Sequence, residues 1–293
     1  MRPVPVLCFG EVLWDVLPHG RCLGGAPVNV AYHLKKLGAG PLPVTAVGDD
    51  APGREILGRL RGWGIDTAFV GVARQPTGEV RVRLAAADRP VYEVLPDVAW
   101  DAIPGPPELL AAARAASALV FGSLAPRSEN NRALLDRLLQ ASAGLKVFDV
   151  NLRPPFVDVA RVTDLMRRSD VVKLNTDELD ALLGATAGGG PWENQARRLS
   201  RVTGCPQVCV TAGAQGAGWL RRNEWTWAAA PPVAGARDAV GAGDAFLAAL
   251  VASCLQPEAL DSAAILERAC RLASFVAGRD GATPEYDAST VLA

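Results

Sequence analysis

The sequence predicts an α/β fold in which helices cover both faces of a mostly parallel sheet. Three observations support this prediction. Short apolar runs alternate with helical patterns over most of the 293 residues, and strands that alternate with helices form parallel sheets. The pattern changes once, over residues 78–95, to an alternation of charged and apolar residues, which predicts one inserted antiparallel hairpin. The composition, 49% hydrophobic and 21% charged, is typical of a globular protein with one large core.

The predicted elements follow one another with short connections. Apolar runs of strand length occupy residues 4–9, 42–47, 119–122, 146–150, 171–174 and 207–211. Apolar residues at helical spacing predict helices at 28–37, 52–60, 111–116, 129–141, 157–168, 193–202 and 257–277. A glycine-rich turn at 23–27 leads into the first helix, which Gly38 closes, and a polar-tipped hairpin is expected over 217–229.

The hairpin at 78–95 is interpreted as part of a small β lid. Charged and apolar residues alternate along it, so one of its faces is apolar and the other polar. We expect a lid contributed by about 11–23 and 77–98, which also forms the contact of a homodimer. The alternative is a plain hairpin at the edge of the main sheet.

Composition excludes several classes of function. The net charge is −1 and no run of Lys and Arg is interleaved with aromatic residues, so nucleic acid is not an expected partner. The chain opens directly into a strand, without the pattern of a signal peptide, and has no apolar stretch of membrane-spanning length; we expect a cytoplasmic protein without a membrane contact. Six scattered cysteines without a CxxC pair predict neither disulfides nor zinc.

Residues 238–246, with the sequence DAVGAGDAF, organise the predicted site. Their two glycines predict a tight loop, and the apolar residues that follow at helical spacing predict a helix. The first amides of a helix lack internal partners and attract anions such as phosphate. Asp244 would repel that anion, which suggests that it accepts a proton from an attacking hydroxyl. The alternative is that Asp244 only caps the helix.

A second group of polar residues follows the first strand. Asp15, the Gly24–Gly25 pair and Asn29 lie where a strand ends and a helix begins, which is where open α/β sheets bind ligands. Together they offer acceptors, donors and exposed backbone for the hydroxyls of one sugar-sized ligand. Taken singly, Asp15 is also explained as a solvated turn acid, and Asn29 as a polar residue satisfied at a helix start.

Two motifs at opposite ends of the chain resemble the signatures of one enzyme family. The common nucleotide fingerprints are absent, since there is no GxxxxGK[ST] and the GAG of 241–243 lacks a third glycine. However, GGAPVNVA at 24–31 and DAVGAGDAF at 238–246 resemble the two signatures of the PfkB, or ribokinase-like, carbohydrate kinases. The resemblance implies a ribokinase-like three-layer sandwich, with 1–293 as a single kinase domain that carries the small β lid.

The resemblance also implies roles for residues at the reacting end of the site. Asp244 would be the catalytic base, and the amides of Gly241, Ala242 and Gly243 would stabilise the charge on the transferred phosphoryl group. The substrate-binding residues would be Asp15, Gly24, Gly25, Asn29 and Arg153. An exposed Arg153 paired with an acid remains an alternative. His19 and His33, the only two histidines, are interpreted as non-catalytic.

The intervening motifs resemble the family's nucleotide and metal sites. Asn175 and Glu178 match an NxxE motif, whose Glu helps to hold the Mg²⁺ that accompanies ATP, usually through water. Thr176 as a helix cap is the alternative. A loop with Thr211, Gly213 and Gly216 matches the ATP-binding loop. Asp238 matches a monovalent-cation (K⁺) ligand, although Ala239 stands where many members have Thr, which puts the cation dependence in doubt.

The sequence therefore predicts an ATP-dependent kinase that phosphorylates a monosaccharide. Fructose is the expected acceptor, because 10–18, 99–101 and the stretch with Asn151 and Arg153 resemble fructokinase-type members. Ribose, 2-keto-3-deoxygluconate and a nucleoside are alternative acceptors. A catalytically silent sugar-binding or regulatory protein is the alternative from another class.

Overall fold

The structure is a computed structural model. It describes residues 3–17, 20–84, 90–184, 192–233, 240–256 and 260–292. The strands are β1 Pro5–Phe9, β2 Leu13–Leu17, β3 Gly20–Gly24, β4 Gly40–Gly48, β5 Val70–Ala73, β6 Gly78–Leu84, β7 Pro90–Val94, β8 Ala118–Gly122, β9 Leu145–Asp149, β10 Val171–Asn175, β11 Val208–Thr211, β12 Ala217–Arg221 and β13 Glu224–Ala228. The helices are α1 Ala26–Lys36, α2 Ala51–Gly62, α3 Pro107–Ala115, α4 Glu129–Ala141, α5 Val159–Arg167, α6 Thr176–Leu183, α7 Trp192–Thr203, α8 Ala242–Cys254, α9 Ser262–Ala277 and α10 Ala288–Val291.

The larger sheet has nine strands in the order β13-β12-β11-β10-β9-β8-β1-β4-β5. Its strands pair in parallel except at one edge, where β12 and β13 are antiparallel. Alternate residues of β1 contact opposite layers: Val6 and Cys8 join the core with α1, α8 and α9, whereas Leu7 and Phe9 join the core with α3, α4, α5 and α7. The predicted α/β fold is confirmed.

The parallel strands bring several polar residues to one edge of the sheet. β9, β10 and β11 end at Asp149, Asn175 and Thr211, and the register aligns Lys173 with Asp149 and Asn175 with Thr211. Because the carboxyl ends of parallel strands share an edge, these side chains become neighbours.

Helix α8 lies in the interior and packs against α1 and α9. Residues 245–251 are all buried, as expected for a helix that is apolar on every side. Among the described residues, no helix is both long and apolar enough to cross a membrane.

The smaller sheet has four strands in the order β3-β2-β6-β7. Its β6 and β7 pair antiparallel, which confirms the predicted hairpin, and its turn at 85–89 lies outside the described residues. The prediction of a turn at 23–27 was partly wrong, because Gly24 ends strand β3, which pairs with β2. Neither β2 nor β3 shows strict apolar alternation, so periodicity did not reveal them. The role of this sheet as a lid or dimer contact stays a prediction.

Other boundaries also differ from the prediction. Strand β5 was not predicted, since its four residues lie between polar segments. The last long helix begins at Ser262, where the Asp261 side chain accepts a hydrogen bond from the amide of Ala264, and not at 257. Likewise, the Asp158 side chain caps α5.

Candidate active site

Asp244 lies in the first turn of α8, directly after a left-handed glycine. Gly241 adopts a φ of 77° as the N-cap, and the helix then begins at Ala242. The amides of this first turn have no intrahelical acceptor and carry the positive end of the helix dipole, so they can bind an anion. Burial, followed by the charge of Asp149, raises the pKa of Asp244 to about 7. The carboxyl group can therefore accept or release a proton near neutral pH.

Asn29 orients the Asp244 carboxylate. Its Nδ2 donates a hydrogen bond of 2.8 Å to Oδ2 of Asp244, across 215 positions of sequence. The two residues meet because α1 packs against α8. Asn29 is buried, and its Oδ1 has no hydrogen-bond partner in the described part of the chain. This bond fixes one oxygen of the carboxyl group and favours its ionised form.

A buried ion pair lies behind the anion-binding turn, and the sequence analysis missed it. Lys173 Nζ contacts Asp149 Oδ1 and Oδ2 at 3.0 and 3.1 Å, and the residues are only 7% and 4% exposed. The ammonium also lies near the turn, since a Cβ built on Gly243 would lie 3.1 Å from Nζ. A lysine within an otherwise apolar, buried strand was the signal that could have found the pair, because such a charge needs a partner.

Glu178 is held by backbone amides at the start of α6. Its Oε2 accepts from the amide of Asn175 at 2.9 Å and its Oε1 from that of Leu152 at 2.8 Å. The side chain of Asn175 in turn accepts from the amide of Glu178, so Asn175, and not Thr176, caps the helix. Burial, followed by Asp149, raises the pKa of Glu178. Its role as a magnesium ligand stays a prediction.

These contacts fit a magnesium ion bound through water. Each Glu178 oxygen already accepts a hydrogen bond from a backbone amide, and its remaining lone pairs can accept one from a water molecule. The described residues contain no group of three His, Cys, Asp or Glu side chains that could hold a metal by themselves. Magnesium usually retains its waters and binds one or two carboxylates together with substrate phosphates.

Glu11 lies near both Asp244 and Arg153, since its charge acts on Asp244 and that of Arg153 acts on Glu11. Glu11 is 4% exposed; its Oε1 accepts from the amide of Ala26 at 3.2 Å, and its Oε2 has no partner among the described residues. Burial raises the pKa of Glu11, which the charge of Arg153 opposes. Arg153 is exposed and donates to the carbonyl of Leu152. Glu11 was not predicted as a site residue, although a charged residue within a buried segment was a signal that could have found it.

The glycine pair allows a close approach of two segments, and its role in substrate binding stays a prediction. Gly24 is buried. It is required because a Cβ there would lie 2.2 Å from the carboxylate of Asp15. Gly25 has a φ of 105°, and a Cβ there would lie 2.4 Å from the Glu11 carbonyl oxygen. The two glycines therefore let the strand with Asp15 and the start of α1 approach closely.

The loop predicted to bind ATP follows β11 and adjoins α6. Thr211 pairs with Asn175, so the two predicted nucleotide sites are neighbours in the sheet. A short 3-10 helix begins at Gly213. Gly216 has a φ of 121°, and a Cβ there would lie 2.1 Å from a carbonyl oxygen of β13. Asp238, the predicted monovalent-cation ligand, lies outside the described residues.

Comparison with known proteins identifies the family. The pfkB family carbohydrate kinase profile matches residues 20–288. The chain belongs to the pfkB family of carbohydrate kinases. It is similar to a fructokinase from Rhizobium leguminosarum bv. trifolii, with 29% identity over 85% of this chain and 79% of the relative. It is also similar to an aminoimidazole riboside kinase from Salmonella typhimurium, with 28% identity over 89% of this chain and 84% of the relative.

A solved structure shows the same fold. The crystal structure of a fructokinase from Xylella fastidiosa with bound ATP superposes with a TM-score of 0.82 and 22% identity, covering 98% of each chain. The ribokinase-like fold inferred from the two motifs is therefore confirmed for this pfkB kinase.

The described part of this carbohydrate kinase brings three carboxylates together around one buried lysine. They belong to Asp149, Glu178 and Asp244, and a fourth carboxylate, that of Glu11, acts on Asp244. Burial lowers the pKa of Lys173, but Asp149, Glu178 and Asp244 outweigh it and raise the pKa, so the lysine is charged. A base, an anion-binding turn and a fixed cation are the groups that phosphoryl transfer needs.

Proposed function

We propose that this pfkB kinase transfers the γ-phosphate of ATP to a hydroxyl group of a neutral monosaccharide, with fructose as the acceptor. The observation that supports it most is the position of Asp244, which follows an anion-binding turn and is held by Asn29 at 2.8 Å. Asp244 takes the proton of the attacking hydroxyl. The amides of 241–243 stabilise the negative charge that develops on the phosphoryl group.

The pKa of Asp244 supports this role. With a value near 7, the carboxylate is present at neutral pH and is still basic enough to remove a proton as the hydroxyl attacks. An ordinary aspartate, with a pKa about three units lower, would be a weaker base. Asp244 therefore gains basicity first from its burial and then from the charge of Asp149.

The nucleotide is proposed to bind along the edge formed by β10 and β11. Thr211, Gly213 and Gly216 would contact ATP, and Glu178 would hold Mg²⁺ through water next to Asn175. Magnesium, when bound, neutralises phosphate charge. Potassium binding at Asp238, a cytoplasmic location and a homodimer through the small sheet stay predictions.

A neutral acceptor is favoured over a sugar acid because the site already has excess negative charge. Its carboxylates are those of Glu11, Asp15, Asp149, Glu178 and Asp244, and its cations are Lys173 and Arg153. Lys173 is already paired with Asp149, and the charge of Arg153 acts on Glu11. A substrate carboxylate would thus add a like charge to these five acids, with the exposed Arg153 as the described cation left to receive it.

The test is ADP release with magnesium-ATP over a panel of acceptors. The panel is fructose, ribose, 2-keto-3-deoxygluconate, aminoimidazole riboside and adenosine. We expect activity on fructose, and Asp244→Asn should lower kcat by a factor of about 10²–10⁴. Asp66→Asn, at an exposed aspartate, is the matched control that should leave the rate unchanged. Activity on another acceptor alone would overturn the fructose assignment, and full activity of Asp244→Asn would overturn the catalytic one.

A further inference from the structure

Lys173 is the one charged residue of strand β10, and its position couples it to the proposed base. Its neighbours Val171, Val172 and Leu174 are fully buried. Its ammonium contacts both oxygens of Asp149 and would lie 3.1 Å from a Cβ built on Gly243, the residue before Asp244. The lysine therefore reaches the anion-binding turn from inside the sheet.

The pair Lys173–Asp149 presents opposite charges to Asp244. The groups that act on the Asp244 carboxyl are Asp149, Asn29, Lys173 and Glu11. Asp149 and Glu11 favour the protonated form, whereas Asn29 and Lys173 favour the ionised form. Lys173 is the only cation among these four residues, and its charge adds to the Asn29 hydrogen bond in favouring the ionised state.

We propose that Lys173 and Asp149 are positioning residues that set the protonation state of Asp244 by opposing effects. The ammonium holds the Asp244 carboxylate ionised, and the Asp149 carboxylate opposes it while it keeps the ammonium in place. This inference rests on the proposed function in one respect, namely that Asp244 is the base. The ion pair thereby determines the pH at which the base becomes active.

A purely structural ion pair would behave differently. If Lys173 and Asp149 only satisfied each other in the interior, removal of either would lower stability, because the remaining charge would be buried without a partner. Neither change would then move the titration of Asp244 in a specific direction. Opposite shifts for the two substitutions are thus the signature of the proposed role.

The experiment measures the titration of Asp244 directly in the full-length protein. Carboxyl carbons of aspartate are labelled with ¹³C and followed by NMR as a function of pH, and Asp244→Asn assigns the signal. In Lys173→Met we expect the pKa of Asp244 to rise by about 1–3 units, and in Asp149→Asn we expect it to fall. Lys173→Arg, which keeps the charge, should remain close to the wild type. The acid limb of the kcat/KM profile should move in the same directions.

The control is a second buried ion pair. Arg127 and Asp101 are 8% and 12% exposed and contact at 2.7 Å, away from Asp244. Arg127→Met should lower stability without moving the pKa of Asp244. If Lys173→Met does not fold, the fall expected in Asp149→Asn still tests the proposal. An unchanged pKa in Asp149→Asn, or a shift of both variants in one direction, would overturn it.

The NMR titration also separates the two proposals, because it needs no substrate. Opposite shifts of the Asp244 pKa in a protein without kinase activity would contradict the proposed function but support the role of the Lys173–Asp149 pair. Kinase activity together with an Asp244 pKa that neither substitution changes would support the proposed function but refute the role of the pair.

Discussion

Gly241→Ala tests whether the turn before α8 forms the anion-binding site. Gly241 has a φ of 77°, and a Cβ there would lie 2.4 Å from Cβ and 2.5 Å from Cα of Ala282. Neither atom belongs to a flexible side chain, so the turn or the segment with Ala282 must move. Because Gly243 and Asp244 follow directly, a shift of the turn displaces the amides and the base together.

The expected magnitude comes from two contributions. An alanine in the left-handed region costs about 1–2 kcal/mol. Forcing an extra methyl into a packed contact adds about 1–3 kcal/mol. The free energy of unfolding should therefore fall by about 2–5 kcal/mol, measured by urea denaturation.

Gly204→Ala is the matched control, since Gly204 has a φ of 75° but no atom within 4 Å of its Cβ position. It should lose only the backbone contribution of about 1–2 kcal/mol. In the ADP-release assay, kcat should fall at least about tenfold in Gly241→Ala, the effect of about 1.4 kcal/mol on the barrier, and stay unchanged in Gly204→Ala. An equal loss of stability in the two variants would refute the argument from packing against Ala282. An equal kcat would refute the argument that the turn takes part in catalysis.

Three further predictions concern buried polar groups. Folding raises the pKa of Asp244, so this residue stabilises the folded state at low pH, and that contribution is lost as the pH rises from about 4 to 7. Asp244→Asn should therefore be more stable than the wild type at pH 8 but not at pH 4, as measured by urea unfolding. Glu178→Gln should raise the Mg²⁺ concentration for half-maximal activity by about 10–100-fold in a magnesium titration. His33→Phe should lower the free energy of unfolding by about 1–3 kcal/mol, because the Ala282 carbonyl and the Tyr286 hydroxyl lose their partners; an unchanged urea midpoint would contradict this.

Most of the large sheet could be predicted from the sequence because its strands are buried on both faces. Runs such as those of β1 and β8 are continuously apolar, and the helices between them keep a regular spacing. Strands β2 and β3 could not be predicted in this way. Their pairing depends on a contact with β6, far along the chain, and their sequences mix buried and exposed residues without alternation.

The site was predictable to a different extent. Family motifs gave Asp244 and Asn29, but no local pattern shows that their side chains meet across 215 positions. The Lys173–Asp149 pair joins residues 24 apart, and a single sequence carries no information on which acid a buried lysine contacts. A charge within an apolar strand is improbable, and only this indicated that Lys173 has a partner.

The concentration of charge at this site opposes the stability of the fold. Glu11, Glu178 and Asp244 each have a raised pKa, so each is less stable as a carboxylate in the folded protein than in water. The apolar cores on the two faces of the sheet offset that cost. Asp244→Asn should consequently stabilise the protein above neutral pH while it removes the proposed base, since the burial that raises the pKa of Asp244 also makes its carboxylate unfavourable in the folded protein.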